Sequence, residues 1–421
     1  MLAYEAQLVL RKYKPRVIAV TGNVGKTSTK DAIYAVISTR YNARRSEKSY
    51  NSEIGVPLTI LGCPNGWSSP TVWLYNLLRG ARLIVTRRPY PEYLVLEVGA
   101  DHPGDIRSIT RWLRPAVTVL TRMSDVPVHV EFFDSPEAVL REKMYLAEAV
   151  VPNGTIVVNA DDPSFMREVR ALNKRTVTFG THRDAVVSIG DTIVSYGDGA
   201  HRAPIGQTVE LTVDGRSSRL SMQGFLGSHL SYPFAAAAAV AYSLGMSIVE
   251  WDKVLVQYDP PRGRMRLLSG VDVSTLIDDS YNSSPLAALE ALSTLEVITT
   301  KGRKIVALGD MKELGTYAQA EHEKVGLRAS HVAHTVVAVG ELAHGIASAA
   351  QTVLSADRVY WFADSHAAAD FLKGYVRAGD VVLIKGSQSI RMERITRALL
   401  ARNLDPKEYL VRQEEEWIAR P

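Results

Sequence analysis

The sequence predicts an α/β protein: a first domain with a parallel sheet around a phosphate loop and appended antiparallel hairpins, then a second, doubly wound domain. Three observations carry this expectation. A buried apolar strand, Val17 to Val20, passes through the Gly-rich turn T-G-x-x-G-K-T into a helix rich in Ala, Ile and Val. Short alternating runs with Asp-Gly turns, DTIVSYGDG, QTVELTVDG and RSSRLSMQG, fill the region from about Asp184 to Phe225. From Ser274 onward TLIDD, KIVALG, TVVAVG, RVYWFA and DVVLIKG alternate cleanly with helix-forming stretches.

In the loop, Gly22 and Gly25 let the backbone turn tightly, so that successive N–H groups and a helix N-terminus face an anion. Lys26 would then reach the β- and γ-phosphates of a nucleotide, and Thr27 would ligate Mg²⁺. The longer phosphate-loop pattern needs Gly at position 20, where this chain has Val, so the match is to a shorter form. The helix is expected to run to about Arg40. Polar residues from Ser46 to Ser52 then form a loop returning to the nucleotide face, ahead of a packed segment from Ile54 to Leu61.

A second strand is read at Tyr93 to Val98. Its Glu97 stands in an apolar run, where a buried carboxylate must be salt-bridged or bound to metal. The phosphate loop upstream favours a Mg²⁺ role. Residues 66–90 hold Trp67, Trp73, Tyr75, Leu77 and Leu78 among Arg79, Arg82, Arg87 and Arg88, with no acid at all. That composition suits a helix lying on an anionic membrane surface or on a protein partner, but the favoured reading is an insertion that packs on its own domain with solvated arginines.

A third strand, Ala116 to Thr121, leads to a helix starting at Asp134 to Pro136, with Lys143 on the face of Val139 and Leu140. His129 lies in the loop before it. By residue type alone, His129 reads as a surface or capping residue and Lys143 as a solvated side chain. TIVVNADDP is a fourth strand ending in polar turn residues, and Phe234 to Leu244 is a buried Ala-rich helix. Pro260, Pro261 and Gly263 mark a hinge flanked by Arg262 and Arg264. In the second domain polar residues gather at the strand ends, where α/β sheets bind ligands. They are Asp278 to Asn282, then Asp310 and Glu313, then Lys385 to Ser387. The charged tail from Arg402 is expected to be a peripheral helix.

Composition bounds the function loosely. The 421 residues leave room for two or three domains, and 46% hydrophobic with 22% charged residues is ordinary for a soluble globular chain. The 49 basic and 45 acidic residues give +4, too mild to argue for nucleic acid, and no nucleic-acid partner is expected. A single cysteine, Cys63, excludes a disulfide framework and a Cys-rich zinc site, which fits a reducing cytoplasm. The N-terminal MLAYEAQLVLRKYKP reads as a short amphipathic helix rather than a signal peptide.

The stretches TGNVGKTSTK, YNSEIGVPLTIL, LEVGADHPGDI, NADDP, IDDSYNSSP, LGDMKELG and LIKGSQSIRME follow one another across almost the whole chain. In this set and order the chain resembles the Mur ligases of peptidoglycan synthesis, most of all the branch that adds D-alanyl-D-alanine. IDDSYN and GDMKELG are far more specific than the phosphate loop. The resemblance implies an N-terminal helix (1–16), a central ATPase domain (17–259, with the insertion 66–90), a C-terminal Rossmann-like domain for the incoming amino compound (260–401) and a tail (402–421). It implies an ATP-dependent amide ligase that joins a dipeptide amine to a muramyl-peptide acceptor through an acyl phosphate. Its place would be the cytoplasm, at the inner face of the membrane if 66–90 meets lipid.

The resemblance also implies residue roles. Gly22, Asn23, Gly25, Lys26, Thr27, Ser28, Arg264, Asp279 and Asn282 would bind ATP, with Arg264 reaching the γ-phosphate and Asp279 the ribose. Thr27, Glu97, His129 and Lys143 would serve two Mg²⁺ sites, Lys143 as a carbamate, which turns a cation into an anionic oxygen ligand. Asn51, Ser52, Glu53, Asp310, Lys385 and Ser387 would bind substrate. Lys26, Glu97, His129, Lys143 and Arg264 form the expected catalytic set.

Two departures stand out. The family's opening domain, which grips a UDP-sugar, has no counterpart in the residues before Val17. The family's G-x-H-N-x-x-N helix start reads Gly227, Ser228, His229, Leu230, Ser231, Tyr232, Pro233, without either Asn. Two other readings compete with the cell-wall ligase: an amide ligase of the folylpolyglutamate synthase kind, and a nucleotide-binding scaffold without turnover.

Overall fold

A computed structural model describes residues 1–47, 50–199, 201–247, 254–255, 259 and 261–418. Within the expected hinge, Pro261 and Gly263 are described and Pro260 lies outside the described residues. The chain divides into two compact units. The first comprises residues 1–190, 210–220 and 230–258, and the second 191–209, 221–229 and 259–421. The fold is α/β, and among the described residues the strands form sheets of nine and six.

The first unit opens with helix α1 (Leu2–Tyr13), then strand β1 (Arg16–Thr21) and α2 (Lys26–Ile37). An edge strand β2 (Ala43–Arg45) precedes α3 (Gly55–Leu61) and α4 (Pro70–Val85). Next come β3 (Tyr93–Glu97), α5 (Asp105–Thr110), β4 (Val117–Leu120), α6 (Pro136–Glu148), β5 (Thr155–Asn159), α7 (Pro163–Ala171) and β6 (Thr176–Gly180). Strands β7 (Val187–Tyr196), β8 (Pro204–Val213) and β9 (Arg216–Gln223) come next in the chain, their residues divided between the two units, and α8 (Ser231–Ser243) of the first unit follows. The sheet order is β2-β3-β1-β4-β5-β6-β7-β8-β9, parallel from β2 through β7. Parallel strands carry helices on both faces, and β3, β4 and β5 are accordingly buried at every residue. On one face α8 packs on α2, its Ala235 to Ala239 wholly buried, because methyl side chains let two helices approach closely. Between β8 and β9, Asp214 and Gly215 both have positive φ, as a two-residue type I′ hairpin turn requires.

Helix starts follow one local rule. Ser135, Asp162 and Ser284 each cap a helix with a side-chain oxygen that accepts a backbone N–H, and each is followed by Pro at the first helical position.

In the second unit β10 (Arg266–Ser269) lies antiparallel to β11 (Thr275–Asp279). Then come α9 (Pro285–Val297), β12 (Lys304–Gly309), α10 (Ala318–Val332), β13 (Thr335–Val339), α11 (His344–Gln351), β14 (Val359–Phe362), α12 (Ser365–Tyr375), β15 (Val381–Lys385) and α13 (Glu393–Leu399). The order β10-β11-β15-β12-β13-β14 places the carboxyl ends of β11, β15 and β12 side by side.

Several elements differ from expectation. Strands β2, β6 and β10 are additions at positions with weak signals: β2 is Ala-Arg-Arg, and β6 alternates Thr with apolar residues. Helix α2 ends at Ile37 rather than at about Arg40. Segment 66–90 forms α4, which packs against α1 and α3 through the buried Asn76 and Gly80. A Cβ at Gly80 would lie 2.2 Å from Glu5 Oε2, so the close crossing of α1 and α4 depends on glycine there. The lone thiol, Cys63, is buried beside it, and burial pushes it up to about 11.

The tail is not one peripheral helix. It makes two single turns, Pro406–Tyr409 and Glu415–Ile418, and between them Leu410 and Arg412 are buried. The Arg412 guanidinium reaches Glu393 Oε2 at 3.0 Å and donates to the Ser280 and Tyr281 carbonyls, and Arg391 holds the other Glu393 oxygen at 2.5 Å. A guanidinium with carbonyl and carboxylate partners can be buried where a solvated one would stay on the surface. Arg412→Ala is expected to leave the Glu393 carboxylate half-satisfied and to lower stability by about 3 kcal/mol, read from urea unfolding.

Candidate functional site

The phosphate loop takes its shape from two parallel registers. Val20 stands opposite both Glu97 of β3 and Val119 of β4, so the loop leaves the sheet between the ends of its two neighbours. Gly22 has φ 145°, and a Cβ there would lie 2.0 Å from Thr121 Oγ1. The end of β4 holds the turn: Asn23 N donates to Arg122 O at 2.7 Å, and Thr121 Oγ1 donates to Val24 O at 2.7 Å. Gly25, at φ 81°, caps α2, whose first residues are Lys26, Thr27 and Ser28. Lys26 Nζ donates to Gly22 O at 3.0 Å and Asn23 O at 3.2 Å.

Glu97 is buried and fully engaged by the loop side. It accepts from Thr27 Oγ1 at 2.9 Å on Oε2 and from Asn51 Nδ2 at 3.4 Å on Oε1, while its backbone N–H donates to Ser46 Oγ at 3.2 Å. Asn51 thus belongs to this cluster. Ser52 and Glu53 are exposed and turn elsewhere: the Ser52 hydroxyl accepts the Gly55 N–H at 3.3 Å, and Glu53 accepts from Ser108 of α5.

His129 adopts the left-handed region, φ 69°, and its Nε2 lies 3.3 Å from Asp101 Oδ1. Lys143 is buried, against the expectation of a solvated side chain from residue type alone. Burial, and then the Lys26 cation, pull its ammonium down to about 7, opposed by Asp101 and Glu142. Lys143 therefore lies in the field of Lys26 and Asp101, which links it both to the loop and to the partner of His129. Asp101 and Thr121 were not singled out by sequence, although Asp101 stands in the LEVGADHPGDI stretch.

Among the described residues no three His, Cys, Asp or Glu side chains converge as a metal cage. Mg²⁺ needs none, since it binds through one or two carboxylates, water and substrate phosphates. One residue before Pro233, which takes the place of the family's second Asn, Tyr232 donates its hydroxyl to Asp161 Oδ2 at 2.8 Å, and the same oxygen accepts from Thr181 Oγ1 at 2.9 Å.

In the second unit the register again makes the contact. Asp279 stands opposite Lys385, and their side chains pair at 2.6 Å in a buried setting. Lys385 Nζ also donates to Asn282 O at 3.0 Å, and Asp279 Oδ1 accepts Met265 N–H at 3.2 Å. The Arg264 guanidinium lies over the Tyr281 ring at 4.3 Å. Asp310 is buried, accepts Ala343 N–H at 2.8 Å and pairs with Lys312 at 2.7 Å. Ser387 joins it, donating its N–H to Asp310 O at 2.9 Å and accepting Lys312 N–H on its hydroxyl at 2.9 Å. Sequence pointed to Asp310 and Ser387 but not to Lys312, which stands in GDMKELG.

Family models match two segments, the Mur ligase middle domain over residues 80–241 and the Mur ligase glutamate ligase domain over residues 263–388. The UDP-N-acetylmuramoyl-tripeptide--D-alanyl-D-alanine ligase of Mycobacterium tuberculosis strain H37Rv is 30% identical over 409 residues, covering 91% of this chain and 73% of the relative. The chain belongs to the Mur ligase family. The ligase of the same name from Bacillus subtilis is 27% identical over 397 residues, 94% of this chain and 78% of that one. Among solved structures, the MurF ligase of Thermotoga maritima in complex with ADP matches with TM-score 0.77 and 26% identity, covering 94% of this chain and 82% of that chain. Folylpolyglutamate synthase of Mycobacterium tuberculosis with ADP shares the fold, with TM-score 0.66 and 17% identity over 96% of this chain and 95% of that one. Mur ligase family members are ATP-dependent ligases.

Two outcomes follow from the geometry. Gly22→Ala forces a Cβ into Thr121 and is expected to cost about 2 kcal/mol or more, read as a lowered unfolding midpoint. For Lys143, the unfolded chain keeps its proton up to about the ordinary value of 10.5, whereas the folded chain releases it near 7. The unfolded state thus holds more protons between these limits, and stability rises with pH there. Wild type is expected to gain stability relative to Lys143→Met as pH is raised from about 7 towards about 10 in CO₂-depleted buffer with chelator, measured by denaturant titration.

Proposed function

We infer that this Mur ligase family protein joins D-Ala-D-Ala, or a similar dipeptide, to a UDP-muramyl tripeptide in cell-wall synthesis. The observation that carries this reading is the Thr27–Glu97 contact beside Lys26 and the buried Lys143, an arrangement suited to a nucleotide with its metal. The named relatives supply the substrate class. Residues 17–259 act as the ATP-binding domain and 260–401 as the amino-substrate domain. The acceptor's terminal carboxylate attacks the γ-phosphorus of ATP, giving an acyl phosphate and ADP. The amine of the dipeptide then adds to the acyl carbon and phosphate leaves.

This chain's own residues do the following. The start of α2, from Gly25 through Lys26, Thr27 and Ser28, would present backbone N–H groups to the phosphates, while Gly22 and Asn23 shape the turn, Asn23 N–H being held by Arg122 O. Lys26, which here donates to loop carbonyls, offers the same cation to the phosphate oxygens. Thr27 and Glu97 would hold one Mg²⁺, and His129 with a carbamylated Lys143 would help hold a second. When bound, these ions supply Lewis-acid stabilisation of the phosphate charge. The donor set fits: a hydroxyl and a carboxylate already meet, and an amine whose proton is held only to about 7 is free near neutrality to add to CO₂. Arg264, Asp279 and Asn282 take the family's nucleotide roles. Asn51, Ser52, Glu53, Asp310, Lys385 and Ser387 form the substrate contacts, with Lys385 held by Asp279 and Ser387 by Asp310 and Lys312. Residues 66–90 would offer a contact surface for a protein partner or for the inner face of the membrane.

The test supplies ATP, Mg²⁺, UDP-muramyl tripeptide and D-Ala-D-Ala singly and together, with products read by mass spectrometry. A pentapeptide product and phosphate release only with both substrates are expected. Turnover with a folyl acceptor and glutamate instead would move the protein to the second reading, and no turnover with either pair would leave the scaffold. Glu97→Gln and Lys26→Ala are each expected to lower kcat by about a hundredfold or more.

A further inference from the structure

Helix α4 is joined to its unit by one narrow face, and its opposite face is apolar. Leu74, Tyr75, Leu78 and Val85 are 59%, 53%, 62% and 83% exposed, and Trp67 just before the helix is 81% exposed. Their spacing, 74, 75, 78 and 85, puts them on one side of a helix, with the exposed Ala81 and Arg82 completing the stripe. Such a stripe over nearly three turns is unusual on a surface that meets only water.

At the C-terminal end of α4 the surface changes character. A depression of about 530 Å³ is lined by Lys14, Arg16, Arg87 and Arg88 together with the rings of Tyr13, Tyr41, Tyr90 and Tyr93, and its one acid is Glu92. It is a built feature rather than a chance gathering of side chains. Lys12 Nζ donates to the carbonyls of Leu83, Ile84 and Thr86 at 2.9, 2.7 and 2.7 Å, closing the end of α4. Tyr13 stacks on Tyr90 at 4.6 Å, and its hydroxyl accepts the Arg88 N–H at 3.1 Å. Arg16 donates to Tyr93 at 2.8 Å. These bonds fix the backbone that carries the cations while leaving Lys14, Arg87 and Arg88 exposed. The acid nearest on α1, Glu5, is buried under Gly80 and adds nothing to the outer field.

An apolar stripe continuous with a basic, tyrosine-walled depression, with no acid between residues 66 and 90, is complementary to a bilayer that offers acyl chains beside anionic headgroups. We propose that α4 lies in the interface of an anionic membrane, its Leu74–Leu78–Val85 face in the acyl boundary, with a phospholipid phosphate seated among Lys14, Arg16, Arg87 and Arg88. This deepens the contact role given above to residues 66–90. It also gives that surface a ligand class, an anionic phospholipid headgroup.

The experiment is co-sedimentation of the full chain with phosphatidylcholine vesicles, with and without about one-third phosphatidylglycerol, at low and near-physiological salt. Wild type is expected to pellet with the anionic vesicles and not with the neutral ones, and its tryptophan emission to shift to the blue. Arg87→Glu/Arg88→Glu and, separately, Leu74→Glu/Leu78→Glu are each expected to lower partition by about tenfold or more. Both double variants should keep the wild-type melting temperature, since the replaced side chains are largely solvent-facing. Lys26→Ala, which strikes the ligase reading, should bind vesicles like wild type, so that a failed ligation assay and a failed membrane assay remain separate results. Absence of wild-type binding to anionic vesicles at low salt would overturn the proposal. So would equal binding to neutral vesicles, unaltered binding by either double variant, or variants rescued only by a protein partner.

Discussion

The pairing of β1 with β3 governs most of the first unit's chemistry. With Val20 opposite Glu97, the end of β1 and the only carboxylate in β3 arrive together at the carboxyl end of the sheet. The loop then needs just seven residues to bring Thr27 back within 2.9 Å of that carboxylate. A slip of one residue would turn Glu97 to the other face of the sheet and separate it from the helix start. β4, pairing on the other side of β1, supplies Thr121 and Arg122 as the wall against which the loop turns. The loop is thus set by strands whose paired residues, Val20 with Glu97 and with Val119, lie far apart along the chain, although its own sequence looks self-contained.

Both units pair buried charge, as Lys30 is paired with Asp31 at 3.1 Å in the first, but not every buried charge is paired. In the second, Asp279 meets Lys385 across adjacent strands, and Glu393 is shared by Arg391 and Arg412, so each ion has an opposite partner. Asp278 is handled otherwise: burial pushes its carboxyl up to about 6, and Thr396 Oγ1 donates to it at 2.9 Å. In the first unit Lys143 sits beneath a second cation, Lys26, and the structure lowers its proton affinity instead of pairing it. Paired ions lend order, whereas a depressed lysine is a reactive amine.

Much of this was legible in the sequence because it rests on local signals. Apolar runs marked β1, β3, β4, β5 and the five parallel strands of the second unit, and the polar step Asp134 to Pro136 marked the start of α6. The strands that sequence did not mark are short, polar or at an edge, and they exist because a neighbour offers hydrogen bonds, not because their side chains demand burial. Site residues divided the same way. Gly22, Lys26 and Thr27 announce themselves through backbone and phosphate chemistry, but Lys143 reads as a solvated lysine until its surroundings are known. Asp101, Thr121 and Lys312 carry no local signal, since their partners His129, Val24 and Asp310 are met only through the fold. The tail misled for the same reason: a charged stretch with three consecutive Glu gave no hint that Arg412 would find Glu393.

The seclusion of Cys63 has a practical corollary. With its thiol held protonated to about 11 beneath α4, the chain's one native sulfhydryl is chemically silent towards alkylating and maleimide reagents near neutral pH. A cysteine introduced anywhere on the surface would therefore be the single reactive handle on the molecule, and spin labels or fluorophores could be placed on either unit without first stripping the native residue.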